Sequence, residues 1–364
     1  MKNGLLIFIL VCTRLAAEGQ LIQRPFIIEP RIHTGMDLPF YKALRYLTHE
    51  DIYAYDLSVS FPTYGKDFWE KLYRYPRQGV GFSYWSLGNN DVFGKAYTLY
   101  TLINIPFFKH TEKFSFNYQI SCGAAYLPKI FDINKDHLNR AIGSHANIYI
   151  HLGIDGKVTI LPRCELVIEA GATHFSNGKT RSPNYGINAG SFSFGLNYIF
   201  NNKGTIILDP EIPRIENRYV QSVIYSAGTK VYDNLLGKKY FVSSASYNLE
   251  RILNHKRKIG LGADLSYDKS ISEALASEDG TPEKNFYKLI RFGLHASYAI
   301  RYKQLVLGIQ IGHYLYYTKS TVITPVYNKI SVQYLITKNL IGGISIKSHM
   351  AKADCLEYGI GYYW

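Results

Sequence analysis

Ser191-Phe192-Ser193-Phe194-Gly195-Leu196-Asn197-Tyr198-Ile199-Phe200 sets bulky apolar residues at every second position, with small or polar ones between them. Successive side chains of a β-strand point to opposite faces, so Phe192, Phe194, Leu196, Tyr198 and Phe200 form one apolar stripe while Ser191, Ser193, Gly195 and Asn197 line the other side. The same alternation recurs outward along the chain. Tyr53 to Phe61, Tyr97 to Phe107 and Phe114 to Cys122 precede it, and Ile259 to Tyr267, Phe292 to Ile300, Leu305 to Ile311 and Leu356 to Trp364 follow it. Turn-like breaks separate these runs, the pattern of many antiparallel strands.

Composition narrows the class. Aromatics make up 15% of the 364 residues, with 32 Tyr and 19 Phe, yet the mean hydropathy is only slightly negative. Strands that hide a lipid-facing stripe inside an average composition account for both, as in a closed membrane barrel. The reading is all-β: an antiparallel transmembrane β-barrel of roughly 12–16 strands, 14 favoured, with a soluble β-sandwich as the alternative. Residues 1–19 read as a signal peptide, because Met1-Lys2-Asn3 precedes the apolar run Leu5 to Val11 and the small residues Ala16 and Ala17. Cys12 lacks the small neighbours of a lipid-attachment site. Beyond that leader no apolar segment reaches the length of about 20 residues that a helical span needs. The final strand, ending on Trp364, resembles the terminal signature of bacterial outer-membrane barrels, and that resemblance implies an outer-membrane location.

The formal charge of +13 is nearly unchanged without Lys2, Arg14 and Glu18. It suits anionic surfaces or phosphorylated head groups, and export argues against nucleic acid. Cys122, Cys164 and Cys355 are too widely spaced for a metal motif and read as apolar fillers; the histidines form no metal-ligand pattern, and no cofactor is implied. Asn201 to Asn217, with Pro210 and Pro213, is a loop or a junction between two β units, and Lys269 to Asn285 is a second loop. The chain thus divides into residues 20–200, and 201–364 as strands that either enlarge one barrel or form a second unit.

Chemistry concentrates in Gly171-Ala172-Thr173-His174-Phe175-Ser176-Asn177. His174 and Ser176 share a face with Leu166, Ile168, Ala170 and Ala172, the apolar side of the strand, while Glu165 and Glu169 point to the lumen. Same-face neighbours lie about 7 Å apart at Cα, close enough for an imidazole base to lean on a hydroxyl. A polar pair at a barrel rim would look the same. The stretch from His174 to Asn188, with Ser176-Asn177, Pro183-Asn184 and Gly186, resembles the active-site segment of the outer-membrane lipid A 3-O-deacylases of Gram-negative bacteria.

That resemblance, covering about the first 200 residues, implies a serine esterase on the lipid-facing wall of a barrel. It makes His174 the base, Ser176 the nucleophile and Asn177 part of the oxyanion pocket, and it puts the family's glutamate at Asn188. Asparagine there can fix the imidazole tautomer but stabilises the imidazolium less. Lys179 and Arg181, in the same loop, are candidates for holding a lipid phosphate. Lipid A or another membrane lipid is the implied substrate. The competing reading is a noncatalytic porin or structural barrel, motivated by Asn188 and by the extra strands.

Overall fold

The computed structural model describes residues 24–38, 42–108, 113–201, 207–231, 238–279, 283, 285–318, 324–349 and 352–364. The signal-peptide reading of residues 1–19 lies outside them. Among the described residues sixteen strands form two closed antiparallel barrels of eight. The first comprises β1 (Phe26–Asp37), β2 (Ile52–Pro62), β3 (Arg77–Ser86), β4 (Lys95–Pro106), β5 (Phe114–Tyr126), β6 (Ala146–Leu161), β7 (Cys164–Ser176) and β8 (Ile187–Phe200). The second comprises β9 (Tyr219–Val231), β10 (Lys239–Asn254), β11 (Arg257–Asp268), β12 (Ile290–Tyr302), β13 (Leu305–Tyr316), β14 (Val326–Leu335), β15 (Leu340–His349) and β16 (Lys352–Tyr363).

The single barrel with 14 favoured strands is therefore corrected to two barrels. β8 turns back to pair with β1, from Phe26 opposite Phe200 to Asp37 opposite Ala189, and β16 closes on β9. Both seams are shut, so no edge is left for a larger sheet. Between them residues 207–218 carry no strand, and Pro210 and Pro213 have no N–H to give to a ladder. The loop expected over Lys269–Asn285 contains a helix, Ser270–Asp279.

In both barrels the outward stripe is exposed and apolar while the inward stripe is buried and polar. Phe192, Phe194, Leu196 and Tyr198 face out, and Ser191, Ser193 and Asn197 are buried. Eight strands leave an interior just wide enough for side chains to fill, and they fill it. In the first barrel Arg31 pairs with Glu29 and with Glu169 (2.6 Å), and Glu169 also meets His151 Nε2 at 3.0 Å. Arg77 grips Glu165 at 2.8 Å, and the Lys157 ammonium donates to Asn104 at 2.8 Å. The second barrel holds Lys230 against Asp354 (2.7 Å) and Asp268 (3.1 Å), and His295 against Asp264 (2.7 Å). Buried charges matched in this way hold strands together across the lumen, since an unpaired one would be strongly unfavourable there. The three cysteines at 122, 164 and 355 carry no disulfide.

In each barrel the connections at one end are mostly shorter than those at the other, the β2–β3 segment of residues 63–76 being the main exception. At the long-loop end of the first barrel an apolar plug of Trp85, Leu127, Ile142, Tyr149, Phe175 and Ile187 closes the interior. Phe175 belongs to that plug because it is the inward neighbour of His174 and Ser176, so the plug anchors the strand end that carries them. At the short-turn end a one-turn helix α1 (Phe68–Leu72) between β2 and β3 meets the second barrel, where Trp69, Tyr73 and Ile105 pack with Tyr302. The Lys303 ammonium lies 3.8 Å from the Trp69 ring centroid, a cation–π contact across the two units.

Candidate active site

The site lies on the outer wall of the first barrel, where β7 leaves the lipid-facing zone. Ile168, Ala170 and Ala172 are exposed on the same face, and Val167, Glu169 and Thr173 are buried on the other, so His174 and Ser176 project outward as the alternation predicts. Glu169 is thereby excluded as a partner for His174, being held in the lumen by Arg31 and His151.

Register brings the third residue in. β7 and β8 pair with His174 directly opposite Asn188, a cross-strand neighbour rather than a residue reached through a loop. His174 Nδ1 is 2.6 Å from Asn188 Oδ1, and His174 Nε2 is 2.8 Å from Ser176 Oγ. An amide oxygen only accepts, so Nδ1 carries the proton and donates it to Asn188. Nε2 is then the basic nitrogen and accepts the Ser176 hydroxyl. One chain of hydrogen bonds, Asn188 to His174 to Ser176, thus sets both the tautomer and the ring orientation, the arrangement a base and nucleophile need.

Asn177 is buried beside this chain, and its side chain is occupied. Nδ2 donates to Ser144 Oγ and to the Arg181 carbonyl, both at 2.9 Å, and its backbone N–H donates to Asn184 Oδ1 at 3.0 Å. Asn177 therefore braces the β7–β8 loop, and it can face an oxyanion only by giving up one amide partner. Ser144, from the β5–β6 connection, is a member of the site that no local pattern announces. Lys179 and Arg181 sit in the same loop, Lys179 half-buried with a left-handed backbone and Arg181 exposed.

Gly186 makes the packing around the imidazole possible. Its φ of 75° is left-handed, and a Cβ there would stand 2.9 Å from His174 Cε1. Alanine at 186 must strain the turn and push the ring off its partners. We expect Gly186→Ala to leave the barrel folded and to lower turnover about 10-fold or more, on the scale of losing one aligned hydrogen bond of about 1–3 kcal/mol. Unchanged kinetics would show that the ring tolerates the shift.

Among the described residues no group of three or more His, Cys, Asp or Glu could hold a metal ion. Comparison with known proteins agrees with the two-barrel division. The family model for lipid A 3-O-deacylase (PagL) matches residues 53–197, and the model for the acyloxyacyl hydrolase C-terminal domain matches residues 219–364, extending the likeness beyond the first 200 residues. No curated protein matches. Among solved structures, the outer membrane enzyme PagL is 15% identical, with 46% of this chain and 97% of that chain covered and a TM-score of 0.31. Neisserial surface protein A is 13% identical over 48% and 96%, with a TM-score of 0.30. Ail of Yersinia pestis is 12% identical over 49% and 99%, with a TM-score of 0.26.

Proposed function

Because this chain belongs to the lipid A 3-O-deacylase family, its first barrel matched by that family's model and its second by the acyloxyacyl hydrolase C-terminal domain, and resides in the outer membrane, we propose that it is a serine esterase acting on an acyl ester of lipid A or a related envelope lipid. The observation that carries this reading is the Asn188–His174–Ser176 hydrogen-bond chain on the lipid-facing wall.

Ser176 Oγ attacks the ester carbonyl carbon while its proton passes to His174 Nε2. The carbonyl oxygen becomes an oxyanion, held by Asn177 after exchange of one of its amide partners. Collapse of the tetrahedral intermediate breaks the ester C–O bond, His174 returns the proton to the sugar alkoxide, and an acyl-serine remains. Water, deprotonated by His174, then attacks the acyl carbon; the fatty acid leaves and Ser176 regains its hydrogen. Lys179 and Arg181 would hold a phosphate of the head group by charge-assisted hydrogen bonds. No step calls for a metal or a cofactor.

Mass spectrometry of lipid A from cells with and without this chain tests the reading: loss of one ester-linked acyl chain is the expected result, and identical spectra with folded protein in the membrane would refute it. The role of Asn188 gives a second test. Asn188→Leu leaves Nδ1–H without an acceptor and should lower turnover 10-fold or more, about 1–3 kcal/mol. Asn188→Glu, which restores an anionic partner for the imidazolium, should keep or raise it. Equal rates in all three proteins would remove Asn188 from the mechanism. A noncatalytic barrel remains the second reading because asparagine supports the imidazolium less than a carboxylate does. Its wide-channel form lost its basis with the single large barrel, since both lumens here are packed with paired side chains.

A further inference from the structure

Along the outward face of β16, Tyr358, Ile360 and Tyr362 are 61%, 56% and 54% exposed, as lipid-facing residues should be, yet Leu356 on the same face is only 8% exposed. Its cross-strand neighbour Ile346 is half-buried while Ile344, two residues earlier on that face, is exposed. On the first barrel the same change occurs along β6. Leu152 and Ile154 are exposed, whereas Ile150 and Ile148, which stand opposite His174 and Ser176, are half-buried.

The two covered patches meet at Gly178. A Cβ built on Gly178 would lie 3.5 Å from Leu356 Cδ1, 3.9 Å from Leu356 Cβ and 3.8 Å from Ile148 Cδ1. Gly178 is the second residue after the Ser176 hydroxyl and has a left-handed φ of 61°. A turn of this kind, with a glycine in its middle, has no side chain of its own to fix it, and here Leu356 fills that place from another barrel. Outward exposure also falls at the opposite end, where Ile105 packs with Tyr302; at the long-loop end it falls around Gly178, so this contact is local to the turn that follows Ser176.

We propose that the second barrel completes the active site: Leu356 is a positioning residue that holds the Ser176–Gly178 turn, so that the nucleophile and the Asn177 amide stay aimed at the ester. The inference rests on the esterase reading for its kinetic half, and on geometry alone for the contact. Loosening the turn should act on the chemical step, where misplacement of about 1 Å can cost up to 10²-fold, rather than on the capture of the lipid.

Two measurements on the full chain decide it. In the first, Leu356→Ala should lower kcat about 10-fold with KM nearly unchanged, consistent with lost orientation. Leu356→Met, which refills the space, should restore kcat to within about twofold, and Tyr358→Ala, on the exposed part of the same face, should leave kcat as in the wild type. Heat-modifiable migration on gels verifies that each variant is folded. An unchanged kcat in folded Leu356→Ala, or an equal loss in Tyr358→Ala, overturns the proposal.

In the second, Gly178→Cys with Leu356→Cys, in a Cys355→Ser background, should form a disulfide in membranes on mild oxidation, since bridged Cβ atoms lie about 3.8 Å apart. Failure to cross-link in folded protein overturns it as well. If the wild type releases no fatty acid, the esterase reading falls by itself, and the disulfide decides whether β16 holds the turn.

Discussion

Alanine in place of Ser176 is expected to abolish ester hydrolysis, lowering kcat by on the order of 10³-fold or more, because the covalent route disappears and only substrate binding and oxyanion donors remain. The fold should survive. Ser176 Oγ points outward and its hydrogen bond to His174 is worth about 1 kcal/mol net, so urea midpoints should barely move. His174→Ala should match it, and the double variant should be no worse than either alone, because nucleophile and base act as a unit. Release of fatty acid from purified lipid A, followed by mass spectrometry, is the measurement. Retention of more than a tenth of wild-type turnover by folded Ser176→Ala would assign the chemistry to another residue.

Replacing Arg31 by methionine is expected to destabilise the first barrel by about 3–5 kcal/mol, the penalty for stripping the partner from buried charge. Arg31 on β1 pairs with Glu29 of its own strand and with Glu169 of β7, and it donates to Gln119 of β5 at 3.3 Å. All four side chains are buried, so the variant leaves two carboxylates in the lumen without the guanidinium between them. Urea unfolding of protein refolded into detergent gives the change directly. Adding Glu29→Gln and Glu169→Gln to Arg31→Met should recover part of the loss, because neutral amides need no counter-charge. A cost below about 1 kcal/mol would mean that water reaches the lumen and screens these charges, as it does for exposed ion pairs.

What could be read in the sequence follows from what alternation encodes. A period of two states which residues share a face, and so Phe192 to Phe200 and Ile259 to Tyr267 disclosed strands, their lipid side and the outward aim of His174 and Ser176. It states nothing about which strand a given edge will find. Pairing of Phe26 with Phe200 joins residues far apart in the chain, and β1 itself escaped notice because Glu29, Arg31 and His33 break up its apolar look. Hence two seams instead of one, and a strand total of sixteen where fourteen was favoured.

The site divides along the same line. The His174–Ser176 spacing is local, and it was legible. Asn188 was singled out through resemblance to a family, and register sets it directly opposite His174. Ser144 and Leu356 come from a distant loop and a distant barrel, and no short-range pattern in either neighbourhood points toward position 176. Asn177 shows the opposite limit. Its identity was noticed, yet only the coordinates reveal that both amide hydrogens are already engaged.

Separate closure of the two sheets bears on how the chain is assembled. Everything needed to shut the first barrel has been synthesised once Phe200 is available, because β1 pairs with β2 and β8 and with no strand from the later half. The second barrel likewise draws all its partners from residues 219–364. Loop closure becomes more unfavourable with the logarithm of chain length, so two shorter circuits replace a single circuit spanning the whole chain. Insertion into the membrane can then proceed as two successive events, and Gly178 acquires Leu356 of β16 as its neighbour only when the second is finished.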